Sequence, residues 1–324
     1  MNKSIKLIVN YFLGPLVFVV LLYTLYQQII QQPDLPLRWA HIQTSWTNHW
    51  FWWVFVLMFC NWGMESFKWK LLIGSLEEIS FLKAFKAVLA GCSISMLLPN
   101  RIGEYGGRVM YLANDNKIKA ISLTIVGSIA QLIVTVVMGA AGLYYLITKS
   151  NGMATYGSLT WVISTPALLI TMVVAIGLLI IYFNATHLLS GLFSFKWIQQ
   201  HVSRFQSSEL LSRKQLLRIL FLSFLRYMIF ILQYIVLLRV MEVEISLALC
   251  FWLLTVFYAI MAILPTVGFT ELPVRATAVS ILLGAYSNNQ LGIQAATFSI
   301  WIINLVLPAI IGSFCIIAIK IIKE

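Results

Sequence analysis

Leu98-Pro99-Asn100-Arg101-Ile102-Gly103-Glu104, with Arg108 four residues further on, has a counterpart in Leu264-Pro265-Thr266-Val267-Gly268-Phe269-Thr270-Glu271, with Arg275 four residues further on. Each runs from Leu-Pro through a branched aliphatic and a Gly to a Glu, and each then places an Arg one helical turn later. Both stretches interrupt strongly apolar sequence. Pro removes a backbone donor and Gly loosens the helix, so each motif predicts a break in a helix. Where the surroundings are apolar, such backbone is tolerated only if it is buried in protein or lines a cavity.

The surroundings are apolar throughout. Of 324 residues, 60% are hydrophobic and 10% charged, too few polar groups to coat a water-soluble globule. Apolar runs of roughly the 20 residues needed to cross a bilayer recur at 5–30, 50–64, 118–148, 159–183, 219–238, 245–264 and 293–319. The first follows Lys3 and Lys6 as a signal peptide would, but no small-x-small cleavage site precedes Gln27-Gln28, and a retained helix is expected. Cys60, Cys92, Cys250 and Cys315 show no CxxC spacing and read as apolar fillers. The four histidines include no HxxxH pair, so neither a metal nor another cofactor is expected.

The formal charge of +11 points to membrane orientation rather than nucleic acid, because Lys and Arg fall in short connectors between apolar runs. With Lys3 and Lys6 inside, a full crossing by 84–112 would put Lys117, Lys119, Lys196 and Arg218 outside, against the positive-inside rule. If that segment instead turns back at Leu98-Pro99-Asn100, these residues and Arg204, Arg213 and Lys214 are cytoplasmic. A second hairpin at Leu264-Pro265, reached from the other face, brings the last span back to Lys320 and Lys323. Only Arg38, Lys149 and Arg239 then lie outside.

The expectation is an all-α integral membrane protein in the cell's inner (plasma) membrane, multi-pass, with both termini cytoplasmic. It has six full transmembrane spans plus two re-entrant helical hairpins, about eight membrane segments in a single domain. Residues 1–150 and 159–324 form inverted repeats, and 184–215 form an interfacial amphipathic connector on the cytoplasmic side. Trp46, Trp50, Trp52 and Trp53 suit an interfacial belt.

Inverted repeats with broken helices meeting near the midplane are a transporter architecture. Thr270 is expected as an N-cap with Pro273 in the first turn after it, so that a helix N-terminus faces the site and favours an anion. Arg101, Glu104, Arg108, Glu271 and Arg275 are the candidate substrate-binding residues, with Pro99, Gly103, Pro265 and Gly268 breaking the hairpins. Each buried charge costs about 2.5–3.5 kcal/mol before pairing, which argues for a function. The Glu-Arg pairs at i, i+4 would also serve to pin the hairpins, and both readings stand at this point. Glu65, Lys68 and Lys70 are expected to snorkel at an interface. Arg226, Gln233, Gln131 and Asn304 fall within spans and are not ranked.

At the two motifs the chain resembles the flippase-like family that includes the transmembrane region of lysylphosphatidylglycerol synthase, the multiple peptide resistance factor, and its stand-alone relatives. Pro99 to Glu104 with Arg108 looks like that family's P-x-R-x-G-E segment and downstream Arg. Pro265 to Arg275 looks like its Pro- and Gly-rich segment ending in Val-Arg-Glu, although here Ala276 follows Val274-Arg275. The resemblance implies movement of a lipid between leaflets: a phospholipid, aminoacyl-lipid, glycolipid or lipid-linked intermediate with a phosphate-containing headgroup. The family's bifunctional members carry a soluble aminoacyl-transferase domain after the membrane region. With the sequence ending at Glu324, that domain is expected to be missing here. A lipid flippase that is not an enzyme is therefore the leading expectation, with a partner enzyme supplying the lipid. The alternatives are an intramembrane lipid-modifying transferase, for which no P-loop, GxSxG, HExxH or Asp-x-Asp motif is present, and a non-transporting scaffold for a partner enzyme.

Overall fold

The computed structural model of the chain describes residues 34–96, 102–149, 162–185, 211–264 and 268–323, with isolated positions between 23 and 31. Most of the first apolar run, the centre of the connector, and Pro99, Arg101 and Pro265 lie outside the described residues. Within them the chain is helical, with no strand. In chain order the helices are α1 (Leu35–Thr44), α2 (His49–Ile73), α3 (Phe81–Ser95), α4 (Gly103–Val109), α5 (Lys117–Lys149), α6 (Thr165–Phe183), α7 (Arg213–Val240), α8 (Leu247–Ile263), α9 (Gly268–Gly284), α10 (Gln290–Trp301) and α11 (Leu307–Lys323). A π-helical turn, Ile302–Val306, joins α10 to α11.

Local chemistry explains where the helices begin. The side chains of Asn48, Ser80, Ser164 and Asn289 each accept a hydrogen bond from a first-turn amide, and Ser212 forms a reciprocal capping box with Gln215. Helix α9 differs from expectation. It starts at Gly268, so Thr270 lies in its first turn rather than capping it, and Pro273 sits inside the helix, leaving the carbonyl four residues back without its usual donor.

Four helical stretches among the described residues are long and apolar enough to cross a membrane: Asn114–Lys149, Thr165–Phe183, Arg213–Val240 and Gln290–Ile317. Helix α2 has spanning length too, but Glu65, Lys68 and Lys70 punctuate its second half. Helix α6 shows what the outer surface meets. Leu169, Ile170, Val173, Ile176 and Ile180 are exposed along it, a face suited only to acyl chains.

Helices α3 and α4, on either side of the first motif, form an antiparallel pair. A Cβ on Gly107 would lie 2.5 Å from the Gly91 Cα, and one on Gly103 would lie 2.5 Å from the Ile94 carbonyl oxygen, so α4 runs back along α3 at backbone contact. The open ends of the hairpin are tied together. The Ala113 amide and the Lys83 ammonium donate to the Glu77 carboxylate at 3.1 and 3.0 Å, and Asn116 donates to the Leu76 carbonyl. Helices α8 and α9 are also neighbours, and their open ends are tied too. Asn289, just after α9, donates to the carbonyls of Met241 and Glu242, just before α8.

Each hairpin packs on the other half of the chain. Helix α3 lies on α11, where a side chain on Gly312 would strike the Leu89 carbonyl. Helix α8 lies on α5, where side chains on Gly139 and Gly142 would strike Ala259 and Thr255. Helices α2 and α7 pack against each other at the centre, around a core that includes Trp69, Tyr234, Leu237, Phe257 and Ile300.

Adding one methyl in Gly107→Ala forces α4 off α3 and is expected to cost about 1–3 kcal/mol of stability in detergent; an unchanged melting temperature contradicts the close approach. Burial pushes the Glu77 carboxyl up, but the Ala113 amide and Lys83 together outweigh it and hold the group below the ordinary carboxylate range. Its contribution is therefore full above the unfolded value, about 4.3, and is lost as pH falls through the lower folded value. The gap in melting temperature between the native protein and Glu77→Gln should be open at pH 7 and close as pH falls below the ordinary carboxylate range. A gap that is constant with pH contradicts the tie.

Candidate functional site

Helix α2 presents Asn61, Glu65 and Lys68 at positions i, i+4 and i+7, which is one face, and that face is covered by α7. Glu65 and Lys68 are therefore not at an interface, as the sequence suggested, but 4% and 2% exposed. The Glu65 carboxylate meets three cations. One oxygen lies 2.8 Å from the Arg108 guanidinium, and the other lies 2.7 Å from the Lys68 ammonium and 2.9 Å from the Arg226 guanidinium. Arg108, 1% exposed, also pairs with Glu104 one turn before it in α4. Gly91 opens the space for this, since a Cβ there would sit 3.0 Å from the Arg108 side chain.

Arg226 is the pivot between this hub and a chain of amides. Its Nε donates to Asn61 Oδ1 at 2.7 Å, Asn61 donates to Asn304, Asn304 donates to Gln233 at 3.1 Å, and Gln233 donates to the Val54 carbonyl at 2.9 Å. Asn304 lies in the π turn, a helix irregularity frequent at functional sites. The guanidinium of Arg226 also sits over the rings of Trp62 and Phe230, at 5.8 and 5.2 Å.

Beyond Arg226 opens a cavity of about 470 Å³. Trp62 of α2, Gln131 of α5, Tyr227 of α7, Tyr258 of α8, Arg275 of α9 and Trp301 of α10 line it, so both halves contribute walls. Glu271 lies in the wall too, 2.7 Å from Arg275 one turn later. Ile263 and Leu264, at the tip of the second hairpin, complete the lining and are exposed.

Both motifs thus form the expected Glu-Arg ion pairs, but in different places. Glu271 and Arg275 line the cavity, whereas Glu104 and Arg108 stand one layer behind it and reach it through Glu65 and Arg226. Gly103 and Gly268 open α4 and α9. The sequence alone did not single out Arg226, Glu65 or Lys68. A signal was there for α2: three polar side chains on one face of an otherwise apolar, aromatic helix must turn inward, away from lipid. Formally the assembly sets the carboxylates Glu65, Glu104 and Glu271 against Lys68, Arg108, Arg226 and Arg275, one positive charge in surplus.

The family model described as lysylphosphatidylglycerol synthase TM region matches residues 11–312, nearly the whole chain, and the protein belongs to that family. Among individually curated proteins no match is found.

Replacing Glu65 with Gln leaves Lys68, Arg108 and Arg226 together without their shared counter-charge. The expected loss is about 3–5 kcal/mol of stability, measured by unfolding in detergent. Glu104→Gln should cost less, because Arg108 keeps Glu65, and Glu78→Gln on the exposed turn after α2 should cost little. Equal effects of all three would contradict a central role for Glu65.

Proposed function

We propose that this protein is a lipid translocator of the cell's inner membrane, moving a phosphate-bearing lipid headgroup through the cavity beside Arg226 and Arg275. The observation that carries this reading is the cavity itself. It is walled by both halves of the chain, contains two Arg side chains, and is joined by unbroken ion pairs to the first hairpin. Buried charges at such cost usually mark a pathway.

Several features of the fold support an inverted repeat. The hairpins α3–α4 and α8–α9 both leave and rejoin the bundle at one end, and these ends are opposite. Each hairpin packs on the last span of the other half, and α2 meets α7 at the centre. Lys83, Lys117, Arg213 and Lys214 cluster at the end where the first hairpin opens. By the positive-inside rule this end is cytoplasmic, and both hairpins are then re-entrant, one from each side. Rocking one half against the other would expose the cavity to each leaflet in turn. The hub at Glu65 is where such a motion would be felt, since it ties α2 and α4 of the first half to α7 of the second. Arg226 and Arg275 bind the phosphate, while the Glu104-Arg108 pair positions the hub.

Leaflet-specific labelling of a fluorescent phospholipid in proteoliposomes tests this. The native protein should move lipid. Arg275→Ala and Arg226→Ala, each losing a charged hydrogen bond of about 1.5–3 kcal/mol, should slow movement tenfold or more. Arg108→Ala and Glu104→Gln should slow it as well. Native rates in all four variants, each shown to be folded by gel filtration, would remove the site.

A further inference from the structure

At the end of the bundle where the second hairpin opens, helix α1 reaches the end of α7 through His41. The ring presents both nitrogens to oxygen atoms: Nε2 lies 3.0 Å from the Val240 carbonyl, and Nδ1 lies 3.2 Å from Glu242 Oε1. A neutral imidazole carries one N–H and can donate to only one of them, whereas the imidazolium donates to both. Val240 is the last residue of α7, so its carbonyl belongs to the negative end of that helix and favours a cation as well.

The surroundings weigh the same way. The charged and titratable groups around the ring are Asp34 and Arg38 of α1 itself, Arg239, Glu242 and Glu244 from the end of α7 and the turn after it, and Tyr286 from the turn between α9 and α10. Asp34 and Arg38 pair at 3.0 Å, and Arg239 donates to the Ile245 carbonyl at 2.7 Å. Three carboxylates against two guanidinium groups leave one negative charge over, which the imidazolium balances.

Glu242 stands in a backbone position that resists it. Its φ of 55° lies in the left-handed region, and no other non-glycine residue among those described is found there. The turn it makes, with the Val243 amide donating to the Leu238 carbonyl at 2.9 Å, closes α7 in the way that usually takes a glycine. A side chain there costs backbone strain, and what this one meets is His41. The contact is open to titration, since the His41 side chain is 34% exposed and that of Glu242 61%.

Helix α1 belongs to the first half and leads through one short turn, Ser45–Thr47, into α2, which carries Glu65. The α7 end and α10, on which α1 rests, belong to the second half. We infer that His41 and Glu242 form a pH-sensitive latch between the halves on the outer face of the membrane, closed while the His41 ring carries two protons and loosened when it loses one. This rests on the reading of two halves that rock about the hub, and it adds a control to that motion. Histidine exchanges its second proton between about pH 5 and 8. The latch therefore holds the outer ends of the halves together in acid and frees them as pH rises, so that lipid moves more slowly on the acid side.

Hydrogen–deuterium exchange of the full-length protein in lipid nanodiscs reads the latch. Native protein, His41→Asn and Glu242→Gly are compared at equal pH, so that the intrinsic pH dependence of exchange cancels. Glycine suits the backbone at position 242, so Glu242→Gly removes the carboxylate and keeps the turn. At about pH 5.5 the amides of α1 should exchange about tenfold more slowly in the native protein than in either variant, the factor that one charge-assisted hydrogen bond contributes. At about pH 8.5 the margin should shrink to about twofold or less. A margin absent in acid, or equal at both pH values, overturns the latch. Leaflet-specific labelling of a fluorescent phospholipid, with both sides of the proteoliposomes at the same pH, reads its effect. Native movement should be faster at the higher pH by up to about tenfold, and both variants should keep the faster rate at both. A pH dependence that persists in both variants overturns the link between latch and movement. The two readings fail separately: no movement at either pH beside the expected exchange pattern removes the transport reading alone, and movement that slows in Arg275→Ala beside a pH-independent exchange margin removes the latch alone.

Discussion

One carboxylate at the centre of the bundle, that of Glu65, holds three cations from three helices. In a low-dielectric interior such a group is costly to bury and costlier to leave alone, so its partners are bound to it as strongly as anything in the fold. Lys68 belongs to the same helix, but Arg108 comes from the first hairpin and Arg226 from α7. The position of the hairpin, the contact between α2 and α7, and the wall of the cavity are all consequences of satisfying that one charge. The amide chain from Arg226 through Asn61 and Asn304 to Gln233 extends the constraint to the π turn between α10 and α11.

Small residues make this geometry possible. Glycines at 91, 103 and 107 let α4 lie against the α3 backbone, and that approach carries Arg108 to Glu65 rather than out towards lipid. Gly312, Gly139 and Gly142 do the equivalent work where each hairpin meets the opposite half. Without a hydrophobic drive between helices in a bilayer, close packing and buried polar contacts are what remain to hold them together. Both are concentrated around the hairpins, and the long outward face of α6 has neither.

That α5, α6 and α7 are spanning helices was legible in the sequence, because length and apolarity leave such runs few alternatives, although α6 begins six residues after its apolar run and α7 six residues before its own. So were the two Glu-Arg pairs, since spacing of four residues on a helix brings side chains together whatever surrounds them. What could not be read was depth. Glu65 and Lys68 follow an aromatic run and look like an interface, and only the packing of α7 over α2 buries them. Arg226 is a lone cation in a span until Asn61 and Glu65 are placed opposite it. The start of α9 was misplaced by three residues because Thr270 has the chemistry of a cap, whereas the chain begins its helix at Gly268. That shift moves Glu271 from the first helical position to the fourth and puts Pro273 well inside the helix. Secondary structure followed from local chemistry, and the site followed from tertiary contacts between distant segments.

A cryo-electron microscopy map of the protein in lipid nanodiscs containing phosphatidylglycerol would examine the central claim directly. It should show the Glu65 carboxylate in contact with both Arg108 and Arg226, and phosphate-sized density between Arg226 and Arg275 with acyl chains leaving past Ile263. A map in which Glu65 contacts Lys68 alone, with the cavity empty and lipid ordered only on the outer surface of the bundle, would contradict it.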